Sequence, residues 1–255
     1  MSTPPKSFFE PLKRPRTFEI VSNQIKQLIF DGVFKSGDRL PPETELAQQF
    51  NVGRQSVREA LRILELSGFI IIQKGGGGGA IIKDGISEKI TGLFMDAFQM
   101  EKIPTKDFTL ARIEIERLIL SHAIRNADES DIQKLKENLK ETKEKIKRNQ
   151  VVIDENVVFH KLLAKASKNQ LFVIVSNAIV AAVRQMLGNQ IASESDPKTR
   201  ERWHNDSIIK SKNTLIYHEK IIEALIERDE EKAAHYLEEH LIEVKDRLAL
   251  LNSQS

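Results

Sequence analysis

The chain has 255 residues, 30% of them charged, a formal net charge of +2 and no cysteine. Its length suits two modest domains, each able to bury a core of its own. The missing cysteines exclude disulfides, thiolate catalysis and Cys-type zinc fingers and suit a reducing compartment; with no uninterrupted apolar run of membrane-spanning length and no signal-peptide core at the start, a cytoplasmic protein is expected.

Charge is distributed unevenly along the chain. Residues 1–84 hold 12 Lys and Arg against 9 Asp and Glu, a net of +3, whereas the remainder holds 27 against 28, a net of −1. Residues 1–16, rich in Pro, Lys and Arg, read either as a flexible basic arm that could lie along a phosphate backbone or as an unstructured leader. From 18 to 30 the apolar residues Ile20, Val21, Ile25, Leu28 and Ile29 keep a helical period, which Asp31 and Gly32 close. In the following KSGDRLPPE, Gly37 and Asp38 turn the chain and Leu40 anchors it. Pro41 and Pro42 then prepare a helix with Glu43 and Glu45 in its first turn.

In residues 43–69, ETELAQQFNVGRQSVREALRILELSGF, two short helical patterns are separated only by Asn51, Val52 and Gly53. So short a break forces Leu46, Ala47, Phe50, Val52, Val57, Ala60, Leu61 and Leu64 into one small core, the spacing of a helix-turn-helix. The second helix then presents Arg54, Gln55, Ser56, Arg58 and Arg62 outward. These residue types reach phosphates and base edges when a helix end enters the major groove. Gly68 sits where a helix C-cap is expected, and the β-branched run at 69–72 predicts a strand. Five glycines at 75–79 turn the chain and 80–82 return it as a second strand, making a wing. Its tip carries no side-chain code, but its bare backbone can approach a phosphate or the minor groove closely.

Beyond Asp84 the pattern changes to amphipathic helices without strand signals, expected at 87–98, 105–126, 130–149, 151–167, 171–191, 212–228 and 230–251. A cap cluster spans 128–131, Asn169 separates two apolar patterns, and Asp229 is placed to cap the last helix. Residues 192–211 are the least periodic and are expected to be a mobile connection. The fold class is therefore mainly α, with an N-terminal winged helix-turn-helix domain at 17–84 and a C-terminal all-helical antiparallel bundle at 85–255. The interior of such a bundle is a natural place for a metal or small-molecule site.

These segments resemble the GntR family of bacterial transcription regulators, specifically its FadR-like subgroup with an FCD effector-binding domain. The resemblance covers nearly the whole chain. It is carried by LPPETELAQQFNVGRQSVREALRILELSGFI with its glycine-rich wing, and by ARIEIERLILSHAI, NVVFHKLLAKASKN and YHEKIIEALIERDEEKAAHYLEEHL. It implies a sequence-specific binder of double-stranded operator DNA, and because one recognition helix reads few base pairs, a homodimer is expected. Arg54 and Arg58 match the arginines that the family places at the start of its recognition helix, and Gln55 and Ser56 are the adjacent positions. Lys74 and Gly75 match the wing tip. Thr44 stands where many relatives carry Arg. Gly53 replaces the usual Ser or Thr, weakening the helix cap by a few tenths of a kcal/mol.

In the second half, the resemblance implies that Asn156, His160, His218 and His240 hold a divalent metal ion, zinc first, with nickel and manganese as alternatives. Asn156 stands where many relatives carry Asp, and it offers an amide oxygen without the charge. His122, His204 and His235 match no ligand position. Arg112 matches an arginine directed at the effector, for which a small organic acid is the expected class, although an intrahelical pair with Glu116 is an equally open reading. Two further readings are a metal-dependent hydrolase built on the histidines and a constitutive DNA-binding dimer without an effector. No HExxH motif, nucleophile elbow or P-loop supports the hydrolase.

Overall fold

The apolar period after the basic arm becomes a helix, α1 (Thr17–Phe30), whose Val21 and Ile25 are buried. The structure is a computed structural model that describes residues 16–73, 75, 78–83, 85–193 and 197–252. The chain divides into two compact units, Met1–Lys89 and Ile90–Ser255. In the first, α2 (Glu43–Gln49) and α3 (Arg54–Leu66) form the two-helix motif. Asn51 lies between them at φ 51°, a left-handed conformation that Asn tolerates better than most residues. Val21, Ile25, Leu46, Val57, Leu64 and Ile70 share one core, with Phe50 and Val52 packed against it. The common core required by the short break in the sequence is therefore present.

Strands β1 (Ile70–Gln73) and β2 (Gly79–Ile82) pair antiparallel, Ile70 opposite Ile82 and Gln73 opposite Gly79. Gly78 allows the tip to close, because a Cβ there would lie 2.3 Å from the carbonyl oxygen of Gln73. The segment before α2 does more than turn and anchor the chain. Arg39 bridges Ile81, and the Leu40 amide donates to Ala80 O at 2.9 Å, so this segment lines the other edge of β2. Too few residues alternate there for its extended character to be read from pattern alone.

Gly68 ends α3 at φ +82°, and a Cβ added to it would meet the backbone oxygen of Gly85 at 2.8 Å. Gly68→Ala therefore combines left-handed strain with a backbone clash. It is expected to lower the stability of this unit by about 1–2 kcal/mol or more, read as an earlier urea midpoint.

A helix, α4 (Ile86–Met100), spans the boundary between the units. The second unit continues with α5 (Thr105–Asn126), α6 (Glu129–Lys147), α7 (Ile153–Ala166), α8 (Gln170–Ser193), α9 (Pro197–Glu227) and α10 (Glu230–Asn252). Its main core is built by Leu120, Leu135, Phe159, Leu163, Ile221, Leu225, Leu237 and Leu241 among others. Helix α5 packs on α10 and α7, α9 packs on α10 and α6, and α7 packs on α8. By length and composition the Gln170–Leu187 stretch of α8 could cross a membrane. Of this stretch 39% is buried within the unit, Ala178, Ile179, Val180, Ala182, Val183 and Leu187 included.

The helix ends follow the polar signals in the sequence. Asp128 and Asp131 form a reciprocal capping box on α6, Asn169 accepts from the Leu171 amide at 3.0 Å, and Asp229 accepts from the Lys232 amide at 2.9 Å. Arg228 secures the other end of α5 by donating to the carbonyls of Ile124 and Ala127. These groups satisfy backbone atoms that a helix cannot satisfy internally.

One expectation is corrected. Residues 197–211, assigned to a mobile connection, form the first half of α9. Residues 194–196 lie outside the described residues, as do residues 1–15 of the basic arm. The residues described as buried in this stretch are Ser207, Ile208 and Ser211, two of the three small and polar. A periodicity judged on apolar side chains reads such a face as loop, although Pro197 at the first helical position was a legible start signal.

Candidate functional sites

In the first unit, the recognition side of α3 is open to solvent. Arg54, Gln55 and Arg58 are exposed, Ser56 is half-buried, and Thr44 on α2 is exposed. Val57, Ala60, Leu61 and Leu64 hold the opposite face in the core. Gly53 caps α3 without a side-chain hydrogen bond, and the Ser56 amide of the first turn donates to Gly53 O at 3.0 Å. Arg58 donates to Glu43 Oε2 at 3.2 Å. An exposed pair of this kind contributes about 0–1 kcal/mol, so the guanidinium can exchange its carboxylate for a nucleic-acid acceptor. Gly75 is exposed at φ +111°; Lys74 lies outside the described residues.

In the second unit, three helices bring His160 (α7), His218 (α9) and His240 (α10) together in the interior. All three are buried. The Nε2 atoms of His160 and His240 are 3.2 Å apart, and those of His218 and His240 are 3.4 Å apart. Each imidazole offers one ligand atom within 4.8 Å of the others. His218 is held by stacking on Phe159, ring centroids 3.6 Å apart and planes within 9°.

Burial first, and then the positive charge of neighbouring groups, pushes His218 and His240 well below the ordinary imidazole value. Both are therefore neutral near pH 7, with lone pairs available. Facing nitrogens at this spacing are one tetrahedron edge apart for metal–nitrogen bonds of 2.0–2.1 Å, an edge of about 3.3–3.4 Å. An oxygen donor lies beside them: Asn156 shares a cavity with His160 and His240, and its buried Oδ1 has no hydrogen-bond partner among the described residues. The donor set of three imidazoles and one amide oxygen fits a borderline divalent ion.

The cavity is lined by Asn156, His160, His240, Arg112, Ser211 and Thr214, with Val180, Val183 and Leu187 on its apolar side. About 30 Å³ is open to the centre of a water-sized molecule, room for one or two waters or an ion. Arg112 forms the intrahelical pair that its spacing allows, Nε to Glu116 Oε1 at 2.5 Å, and it also lines this cavity. The two readings of Arg112 are thus compatible in space. Its second guanidinium nitrogen is 3.4 Å from His160 Nε2.

Glu116, which its spacing presents only as a partner of Arg112, has a second contact. Its other oxygen lies 2.5 Å from His160 Nδ1. The carboxylate is the group that faces this ring nitrogen, which has no other hydrogen-bond partner among the described residues. Burial would raise the Glu116 carboxyl, but Arg112 and His160 outweigh it and hold the group well below the usual carboxylate range. Nothing in the local pattern of α5 announces this contact, since His160 is 44 residues away. The remaining histidines are elsewhere. His122 packs on Phe172, His204 meets Asn149 O at 3.0 Å and His235 is near Glu239.

Comparison with known proteins gives two matches within the chain. Residues 18–78 match the family described as bacterial regulatory proteins, gntR family, and residues 107–243 match the FCD domain. The chain is 30% identical over 247 residues to the HTH-type transcriptional repressor NanR of Citrobacter rodentium (strain ICC168), covering 96% of this chain and 90% of that protein. It is 28% identical to NanR of Salmonella newport (strain SL254) over 96% of this chain and 90% of that one. Among solved structures, Streptococcus agalactiae GntR superposes with a TM-score of 0.67 at 21% identity, covering 90% of this chain and 99% of that one. This last likeness speaks for the fold.

Proposed function

Given that the chain belongs to the GntR family of bacterial regulatory proteins and carries an FCD domain, we propose that it represses transcription as a homodimer whose operator binding is modulated by a divalent ion and a small organic acid. It is a DNA-binding transcription regulator and not an enzyme. The hydrolase alternative falls with that membership. Residues 17–84 form the reading head and 85–255 the effector and dimerisation domain in this reading, with the basic arm at 1–16 and a cytoplasmic site of action beside the DNA.

The observation that carries the effector half is the convergence of three buried imidazoles, of which His160 and His240 line one cavity with Arg112. His160, His218, His240 and Asn156 would hold the cation, zinc first and nickel or manganese as alternatives, and that cation would supply positive charge for an acid. Arg112 would clamp the carboxylate. The free space admits an ion and water, so an organic acid requires the lining side chains to yield. Regulation then requires the acid to bind the DNA-competent and DNA-incompetent states with different affinity. A constitutive dimer would keep its operator affinity when chelator or organic acids are added.

The DNA half rests on the exposed start of α3. Arg54 and Arg58 are assigned to base edges or phosphates, with Gln55, Ser56, Thr44, Lys74 and Gly75 around them. Arg54→Ala and Arg58→Ala should each weaken specific operator binding by about 1–3 kcal/mol, measured by gel shift on a selected operator. Wild-type affinity in both variants would refute the assignment.

A further inference from the structure

The Arg112, Glu116 and His160 cluster contains a buried carboxylate to which the regulator reading gives no task. Glu116 is 3% exposed, and its two oxygens face different partners, Oε1 towards Arg112 Nε and Oε2 towards His160 Nδ1, each at 2.5 Å. It can only accept hydrogen bonds when ionised. A proton on His160 is therefore favoured at Nδ1, next to the carboxylate. On the other side of the ring the guanidinium of Arg112, which is only a donor and is itself held by Glu116, lies 3.4 Å from His160 Nε2, a distance at which it favours a lone pair there only weakly.

We propose that Glu116 is a positioning residue that holds His160 as the Nδ1–H tautomer, aiming the Nε2 lone pair at the nitrogens of His218 and His240, while its other oxygen keeps Arg112 in the wall of the same cavity. One carboxylate thus aligns a cation donor and an anion clamp side by side. This rests on the metal reading proposed above. It adds a residue whose role is to select which ring nitrogen is bare, and outer partners of metal-binding histidines have that effect generally.

The alternative of a purely structural ion pair makes a different prediction for Glu116→Gln. Glutamine has one acceptor oxygen where glutamate has two. Arg112, with no acceptor of its own, will take that oxygen, which turns the amide NH2 towards His160 Nδ1. A donor facing Nδ1 favours a bare Nδ1 and a proton on Nε2. The variant should therefore exchange the tautomer of His160, whereas loss of packing alone would not.

The test is nitrogen-15 NMR of the imidazoles in the full chain after treatment with a chelator, combined with zinc titration monitored by calorimetry. Wild type is expected to show His160 protonated at Nδ1. Glu116→Gln should show the Nε2–H form and bind zinc about 10–100-fold more weakly. Protonation of wild-type His160 at Nε2 overturns the proposal even if the variant does not fold. So does an unchanged tautomer in a folded variant with zinc affinity within threefold of wild type. If wild type and His218→Ala alike fail to bind zinc, the metal reading itself falls, and the positioning role falls with it; intact wild-type binding with an unchanged tautomer removes Glu116 alone.

Discussion

Arg112→Ala is expected to destabilise the protein by about 3–5 kcal/mol in urea unfolding of the metal-free chain. Arg112 and Glu116 are 4% and 3% exposed and make contact at 2.5 Å, so truncating the arginine leaves a carboxylate in the interior without its main counter-charge. The desolvation of that orphan group, and not the Coulomb energy of the lost pair, dominates the expected effect. The exposed pair of Arg58 and Glu43 provides the internal contrast: its removal should change stability by about 0–1 kcal/mol. Replacing both buried partners, Arg112→Met with Glu116→Leu, should recover most of the loss, since apolar residues of similar volume leave no charge unpaired. A loss below about 1 kcal/mol for Arg112→Ala alone would mean that water or a proton reaches Glu116 easily.

His218→Ala is expected to remove stoichiometric cation binding. Losing one of three imidazoles should exceed the roughly 10–100-fold cost of losing an outer partner. Wild type at a metal concentration about 100 times Kd should gain about 2.7 kcal/mol of stability through linkage, and the variant should gain little at the same concentration. Thermal unfolding with and without metal, supported by elemental analysis, measures both. An equal stabilisation of wild type and variant would take His218 out of the ligand set. The comparison is made within each variant because His218 also stacks on Phe159, and its loss lowers the baseline.

The depressed values of His218 and His240 predict how the metal-free protein responds to acid. Both are neutral in the folded state, because burial and neighbouring positive charge disfavour their protonation. In the unfolded chain they titrate near the ordinary value of about 6.5. Below that pH the unfolded state binds more protons than the folded one, so stability falls as pH falls through about 6.5 and continues to fall towards the folded-state values. Urea midpoints of the chelator-treated protein between pH 7.5 and 5.5 report this slope, and it should be shallower in His240→Ala. An equal slope in that variant would place the acid sensitivity elsewhere.

Several parts of the molecule were legible before any coordinates. The two-helix motif was readable because a three-residue break leaves its apolar residues no alternative to a shared core. Gly68, Asp128, Asn169 and Asp229 marked helix ends through local backbone chemistry, which is written in the residues themselves. The edge segment around Arg39 was not readable, since its extended form depends on pairing with β2. The first half of α9 was missed because Ser207 and Ser211 supply much of its buried face, and a polar residue reads as buried only once its neighbours are known.

By itself the sequence determined the mainly helical class and the winged head with its outward Arg54 and Arg58, because helical period, turn chemistry and charge are local properties; the histidines to watch were implied by the family resemblance. The tertiary structure alone decided that His160, His218 and His240 bring their ring nitrogens together, that the Asn156 oxygen has no partner among the described residues, and that Glu116 on α5 touches a histidine on α7. Those relations join residues 22 to 80 positions apart, through packing of helices whose individual patterns say nothing about the direction of one another's faces. A donor set is a geometric fact, and only the folded core brings its members together.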